Sequence, residues 1–107
     1  MNILRQYKSP FKRFVKKETK PLQLAIEDEV DAVCENPLIG EQKIGDLAGV
    51  FVYKFKFNRQ EYLLAYRTAP TNAYENPAAV QFLSIVFYKV GTHENFYEEL
   101  KRYLREE

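Results

Sequence analysis

The stretch Phe51-Val52-Tyr53-Lys54-Phe55-Lys56-Phe57 decides the fold. Successive side chains of an extended strand point to opposite faces, so Phe51, Tyr53, Phe55 and Phe57 line one side, and Val50, Val52, Lys54 and Lys56 the other. The rings need a core to cover them. On the second face two ammonium groups stand together with no carboxylate between them, an arrangement that suits an anionic ligand such as a phosphodiester. A plainer reading of the same lysines is a solvated face that keeps the sheet soluble. The strand is expected over 48–57, Asn58-Arg59-Gln60 supplies a short turn, and Tyr62 to Arg67 returns as the second strand of a hairpin.

Working outward, Thr68 to Ala78 holds Pro70 and Pro77 and reads as an exposed loop. Val80 to Val90 is apolar on both faces, with Phe82, Leu83, Ile85, Val86 and Phe87, as a central strand covered on both sides requires. From His93 to Arg105, Phe96, Leu100 and Leu104 recur at helical spacing and predict a C-terminal amphipathic helix. Toward the N-terminus, Ser9-Pro10 is a helix start with Ser9 as its cap, and Phe11, Phe14 and Val15 share a face. A second helix starts at Thr19-Lys20-Pro21, buries Leu22, Ile26, Val30 and Val33, and stops at Asn36-Pro37. Leu38 to Leu47 connects it to the hairpin, and Ile3 to Tyr7 is a candidate edge strand. The order predicts a single α+β domain over 1–107, an N-terminal helical hairpin and a C-terminal helix packed on an antiparallel β-sheet.

The net charge of +1 hides a segregation: residues 1–20 carry a net +6, 21–47 a net −6, 48–70 a net +3 and 71–107 a net −2. A basic opening segment suits an acidic partner, nucleic acid included, although the two opening segments can also neutralise each other. The single Cys34 excludes an internal disulfide and a cysteine-built zinc site. No apolar run reaches the roughly 20 residues that span a bilayer, so the expectation is a soluble cytoplasmic protein with no membrane partner.

Taken in order, the helix hairpin, Asn36-Pro37-Leu38-Ile39-Gly40, Gly45-Asp46-Leu47-Ala48-Gly49, Val52-Tyr53-Lys54-Phe55-Lys56, Tyr62-Leu63-Leu64-Ala65-Tyr66, Val90-Gly91-Thr92-His93 and Tyr97-Glu98-Glu99-Leu100-Lys101-Arg102 resemble the RelE/ParE superfamily of type II toxin–antitoxin systems. The resemblance covers nearly the whole chain and implies a RelE/ParE-like fold. In the RelE branch it implies a ribosome-dependent endoribonuclease that cuts messenger RNA without metal or cofactor and is silenced by a cognate antitoxin. Lys54 and Lys56 match the basic residues that act at the scissile phosphate, Tyr97 matches a tyrosine that stacks on the substrate, and Gly91-Thr92-His93 resembles the YafQ-like branch, whose histidine takes part in acid–base chemistry.

The chemistry is coherent on its own terms. Cleavage of RNA by its own 2′-hydroxyl needs a base, an acid and positive charge for the phosphorane oxygens. Histidine is the side chain suited to proton transfer near neutrality, two close lysines can divide the roles of base and charge stabiliser, and a tyrosine can stack on an unpaired base. Each residue also has a plain alternative: His93 as a cap or surface residue, Tyr97 as packing beside Phe96, Glu94 as a helix-dipole partner. In one place the chain departs from the pattern, since Leu63 stands where RelE toxins carry an arginine. Arg67 and Arg59 are the candidates to supply that cation as RNA-binding residues. The alternatives are a ParE-like toxin that inhibits DNA gyrase without nuclease chemistry, which tolerates Leu63, and an inactive toxin-fold interaction protein.

Overall fold

A computed structural model describes residues 3–71 and 82–107. The elements are β1 (Ile3–Tyr7), α1 (Ser9–Lys17), α2 (Lys20–Glu35), β2 (Glu41–Gln42), a 3₁₀ turn (Gly45–Leu47), β3 (Phe51–Phe57), β4 (Gln60–Thr71), β5 (Phe82–Gly91) and α3 (Phe96–Glu106). The five strands form one sheet in the order β1-β5-β4-β3-β2. Strands β2 to β5 run antiparallel, as expected, but β1 joins the edge parallel to β5, so the sheet is mixed. The crossover through α1 and α2 makes this direction possible. The two-sided burial read from Val80 to Val90 is met at β5, which lies between β1 and β4 and sends Ile85, Phe87 and Val90 into one core layer and Tyr88 into the other. Strand β4 extends to Thr71, beyond the expected end at Arg67, and the rest of the expected loop, together with Val80 and Gln81, lies outside the described residues.

Local chemistry sets the boundaries. The Thr19 hydroxyl accepts from the Leu22 amide at the start of α2, and Leu22, Ile26, Val30, Val33 and Cys34 form its buried stripe. The cap of α1 falls on Lys8 rather than Ser9, and no side chain caps it. The Lys8 amide still donates to the Phe87 carbonyl at 2.9 Å, so the chain leaves the sheet at Lys8 and turns at once. At the other end α3 begins at Phe96, three residues later than His93, because Asn95 takes a left-handed conformation with φ 58°.

The alternation in β3 sorts the core into two layers. Beneath α1 and α2 lie Phe51, Phe55, Leu64, Tyr66, Ile85, Phe87 and Val90. Their rings stack in series: Tyr7 on Phe11 at 5.0 Å, Tyr7 on Phe87 at 5.5 Å, and Phe51 on Tyr66 at 5.4 Å between centroids. Such pairs add about 0.5–1.5 kcal/mol each beyond their buried area. Tyr66, fully buried, donates its hydroxyl to the Pro37 carbonyl at 2.8 Å and accepts from the Gly40 amide at 3.0 Å, tying the connecting loop to the core. A Cβ on Gly40 would stand 2.8 Å from that hydroxyl, so the close approach requires glycine.

The second layer, beneath α3, contains Leu47, Val50, Val52, Leu63, Ala65, Tyr88, Phe96 and Leu100. A register shift near Ala65 and Tyr66 leaves Tyr88 as the extra residue between Phe87 and Lys89. Both Tyr88 and Lys89 then serve the α3 side, Tyr88 in its core and Lys89 bonded to Glu99 at 2.9 Å. Between the opening segments, Arg5 meets Asp31 at 2.7 Å, while Lys12, Arg13, Lys16 and Lys17 stay exposed.

Candidate functional site

The hairpin register builds the site. Phe57 pairs with Gln60, so the turn has two residues, Asn58 and Arg59, with φ of 49° and 67°. Positive φ at both positions is the mark of a type I′ turn, whose twist matches paired strands. The expected turn over three residues is therefore one residue too long. With the shorter turn, Glu61 falls directly opposite Lys56, and Lys54 opposite Leu63. Leu63 in turn pairs with Gly91 on β5, and the chain continues through Thr92 to His93.

Lys54 and Lys56 share a face with no carboxylate between them along β3, as expected, but the register sets one across from Lys56 on β4. Glu61 stands on that face, and its Oε1 is hydrogen-bonded to His93 Nε2. The His93 contact holds the Glu61 carboxyl below the usual range, with smaller contributions from Lys54 and Lys56. The arrangement is thus a mixed cluster: an imidazole, a carboxylate and two exposed ammonium groups on three adjacent strand ends. His93 and Glu61 have side chains 50% and 35% exposed, so the pair is open to an incoming ligand and contributes little to stability.

Tyr97 lies on the first turn of α3, four residues from His93 and half-buried. Its ring meets Phe96 edge-on at 5.5 Å, and Lys43 Nζ stands 5.2 Å from its centroid. With Glu41, Lys43, Ile44, Leu47 and Lys101 it borders a cleft of about 500 Å³. Lys43 also meets Glu41 at 3.0 Å, and this contact lowers the Glu41 carboxyl, with a smaller effect from Lys54. A row of polar side chains therefore runs from His93 and Glu61 through Lys54, which acts on both carboxylates, to Glu41, Lys43 and Tyr97.

The two arginines lie apart. Arg59 is exposed in the hairpin turn, whereas Arg67 stands eight residues away with its guanidinium 5.5 Å from the Tyr88 ring, on the order of 25 Å of strand at about 3.3 Å per residue. Leu63, at the position where RelE toxins carry arginine, is fully buried in the layer beneath α3. Glu61, Glu41 and Lys43 were not picked out by sequence reasoning. Reading Asn58-Arg59 as a two-residue turn would have found Glu61, but arginine with positive φ is a weak signal for that turn.

Among the described residues no cluster of three or more metal-ligating side chains occurs, and no helix is long and apolar enough to cross a membrane. Comparison with curated proteins and with solved structures gives no match. The model of one family, described as a ParE-like toxin of type II bacterial toxin–antitoxin systems, matches residues 5–101. That span takes in both helical layers, the hairpin and the His93 turn, in agreement with the RelE/ParE resemblance; the chain belongs to the ParE-like toxin family.

Proposed function

We propose that this toxin is an endoribonuclease that cuts messenger RNA on the ribosome and so stops translation in the cytoplasm, restrained by a cognate antitoxin. The observation that carries this reading is the meeting of His93 and Glu61 beside Lys54 and Lys56 on an open strand end. In cleavage by the substrate's own 2′-hydroxyl, that oxygen loses its proton as it bonds to phosphorus. The P–O5′ bond breaks as the departing oxygen gains a proton, leaving a 2′,3′-cyclic phosphate and a 5′-hydroxyl. His93 carries one of these protons and one of Lys54 and Lys56 the other, while the second lysine faces the charge that grows on the phosphorane oxygens. Tyr97 stacks an unpaired base on the ring face that Lys43 leaves free, and Arg59 and Arg67 hold the RNA backbone further along the hairpin.

The test is cleavage of ribosome-bound message by wild type and His93→Gln at matched folded concentrations. The expected loss is about 10²- to 10⁴-fold, the usual range for a general acid or base. Equal cleavage by the variant would remove His93 from the mechanism. A second reading, a gyrase-directed toxin without nuclease chemistry, is favoured by the buried Leu63, which offers no cation where RelE toxins have one. It expects DNA damage with translation intact on expression, and toxicity unchanged by His93→Gln.

A further inference from the structure

We infer that Glu61 is the positioning residue of His93: it accepts from Nε2 and aims the ring so that Nδ1 is the nitrogen that exchanges a proton with substrate. This role rests on the nuclease reading. Three features of the chain support it. The first is the contact itself, which engages Nε2, while among the described residues Nδ1 has no hydrogen-bond partner. Next is the rigidity of both supports. Glu61 is the second residue of β4, fixed by the two-residue turn and paired with Lys56. His93 follows Gly91, which is buried near the Phe14 and Phe96 rings, and the His93 carbonyl accepts from the Phe96 amide at 3.2 Å. Finally, the His93 hydrogen bond, with smaller help from Lys54 and Lys56, favours the ionised Glu61 carboxyl, the form that only accepts. The one recorded partner of the imidazole is Glu61 from β4, and Lys54 and Lys56 from β3 act on that carboxylate from beyond it.

A surface ion pair of no consequence would look alike in a static structure, so the test needs a readout beyond stability. His93 is the one histidine of the chain, so its two ring nitrogens are the whole imidazole nitrogen NMR spectrum, and their couplings to the ring protons tell Nε2 from Nδ1. In wild type the Nε2 resonance is expected to carry the displacement of a strong N–H to carboxylate bond. Glu61→Ala should move Nε2 most, with a smaller shift at Nδ1 as the ring is released to exchange its tautomers. On ribosome-bound message, Glu61→Gln should lower kcat about 10- to 100-fold, the range seen for partners that orient a working imidazole at metal sites, with KM unchanged. The urea midpoint should not move.

An Nε2 resonance indifferent to Glu61→Ala would overturn the inference whatever the activity. A shifted Nε2 with unchanged kcat would also overturn it, leaving a surface contact without a role. Wild type that cuts no RNA would end the nuclease reading and this role together, whereas wild type and Glu61→Gln cutting equally would end this role alone.

Discussion

The two faces of the sheet share the same strands yet finish differently. Under α1 and α2 the rings of Tyr7, Phe11, Phe51, Tyr66 and Phe87 stack in one apolar layer. Under α3 the apolar layer stops at Val52 and Leu63, and the next residues along β3 and β4 are Lys54, Lys56 and Glu61. Length accounts for the contrast. A helix of 11 residues is about 16 Å long at 1.5 Å per residue, while the seven residues of β3 extend about 23 Å. One helix cannot cover the hairpin to its tip, and its uncovered end can hold charge without the cost of burying it.

The stacked face should be the more sensitive of the two to truncation. Phe87→Ala should destabilise the fold by about 3–5 kcal/mol, since it removes a fully buried ring that touches three others. Lys56→Ala on the open face should change stability by no more than about 0.5 kcal/mol. Urea unfolding of the two variants measures both, and similar losses would mean the faces are not the separate layers described.

A smaller effect sharpens the picture. Tyr66→Phe keeps the ring and deletes the hydroxyl, leaving the Pro37 carbonyl and Gly40 amide without their partner, and should cost about 1–3 kcal/mol. The smallest effect concerns Cys34, buried in the layer under α2, where burial pushes its thiol above the ordinary value and Arg5 only partly opposes this. In the unfolded chain the thiol ionises first, so its contribution to stability is present at neutral pH and lost as pH rises past about 8.5. Cys34→Ala should remove that part of the slope in unfolding measured between neutral and mildly alkaline pH.

The same contrast explains what could be read from the sequence. Strong periodicity made the stacked layer legible: the α2 stripe from Leu22 to Val33 and the alternation of rings in β3 each name their own partners. The parallel direction of β1 could not be read, because five residues with a weak pattern leave their pairing partner to the tertiary fold. At the site, Lys54, Lys56, His93 and Tyr97 came from motif and parity, and the register brings the first three around Glu61. Glu61 escaped because cross-strand partners depend on turn length, and a one-residue error moves every side chain to the opposite face. Tyr88 and Lys89 escaped for a related reason, since a bulge interrupts the alternation that parity arguments assume.

The bond between Gly40 and Tyr66 has a consequence for how the molecule opens. Loop amides usually exchange with solvent through small local motions, whereas amides in a central strand wait for the whole domain to unfold. The Gly40 amide sits in a loop but donates to a hydroxyl anchored in the deepest part of the stacked layer. Its hydrogen exchange should therefore follow the clock of the core and not that of its neighbours Leu38 and Ile39, both exposed. The Tyr66 hydroxyl thus ties the segment from Pro37 to Gly40 to the core, and that tie should loosen only when the stack under α2 comes apart.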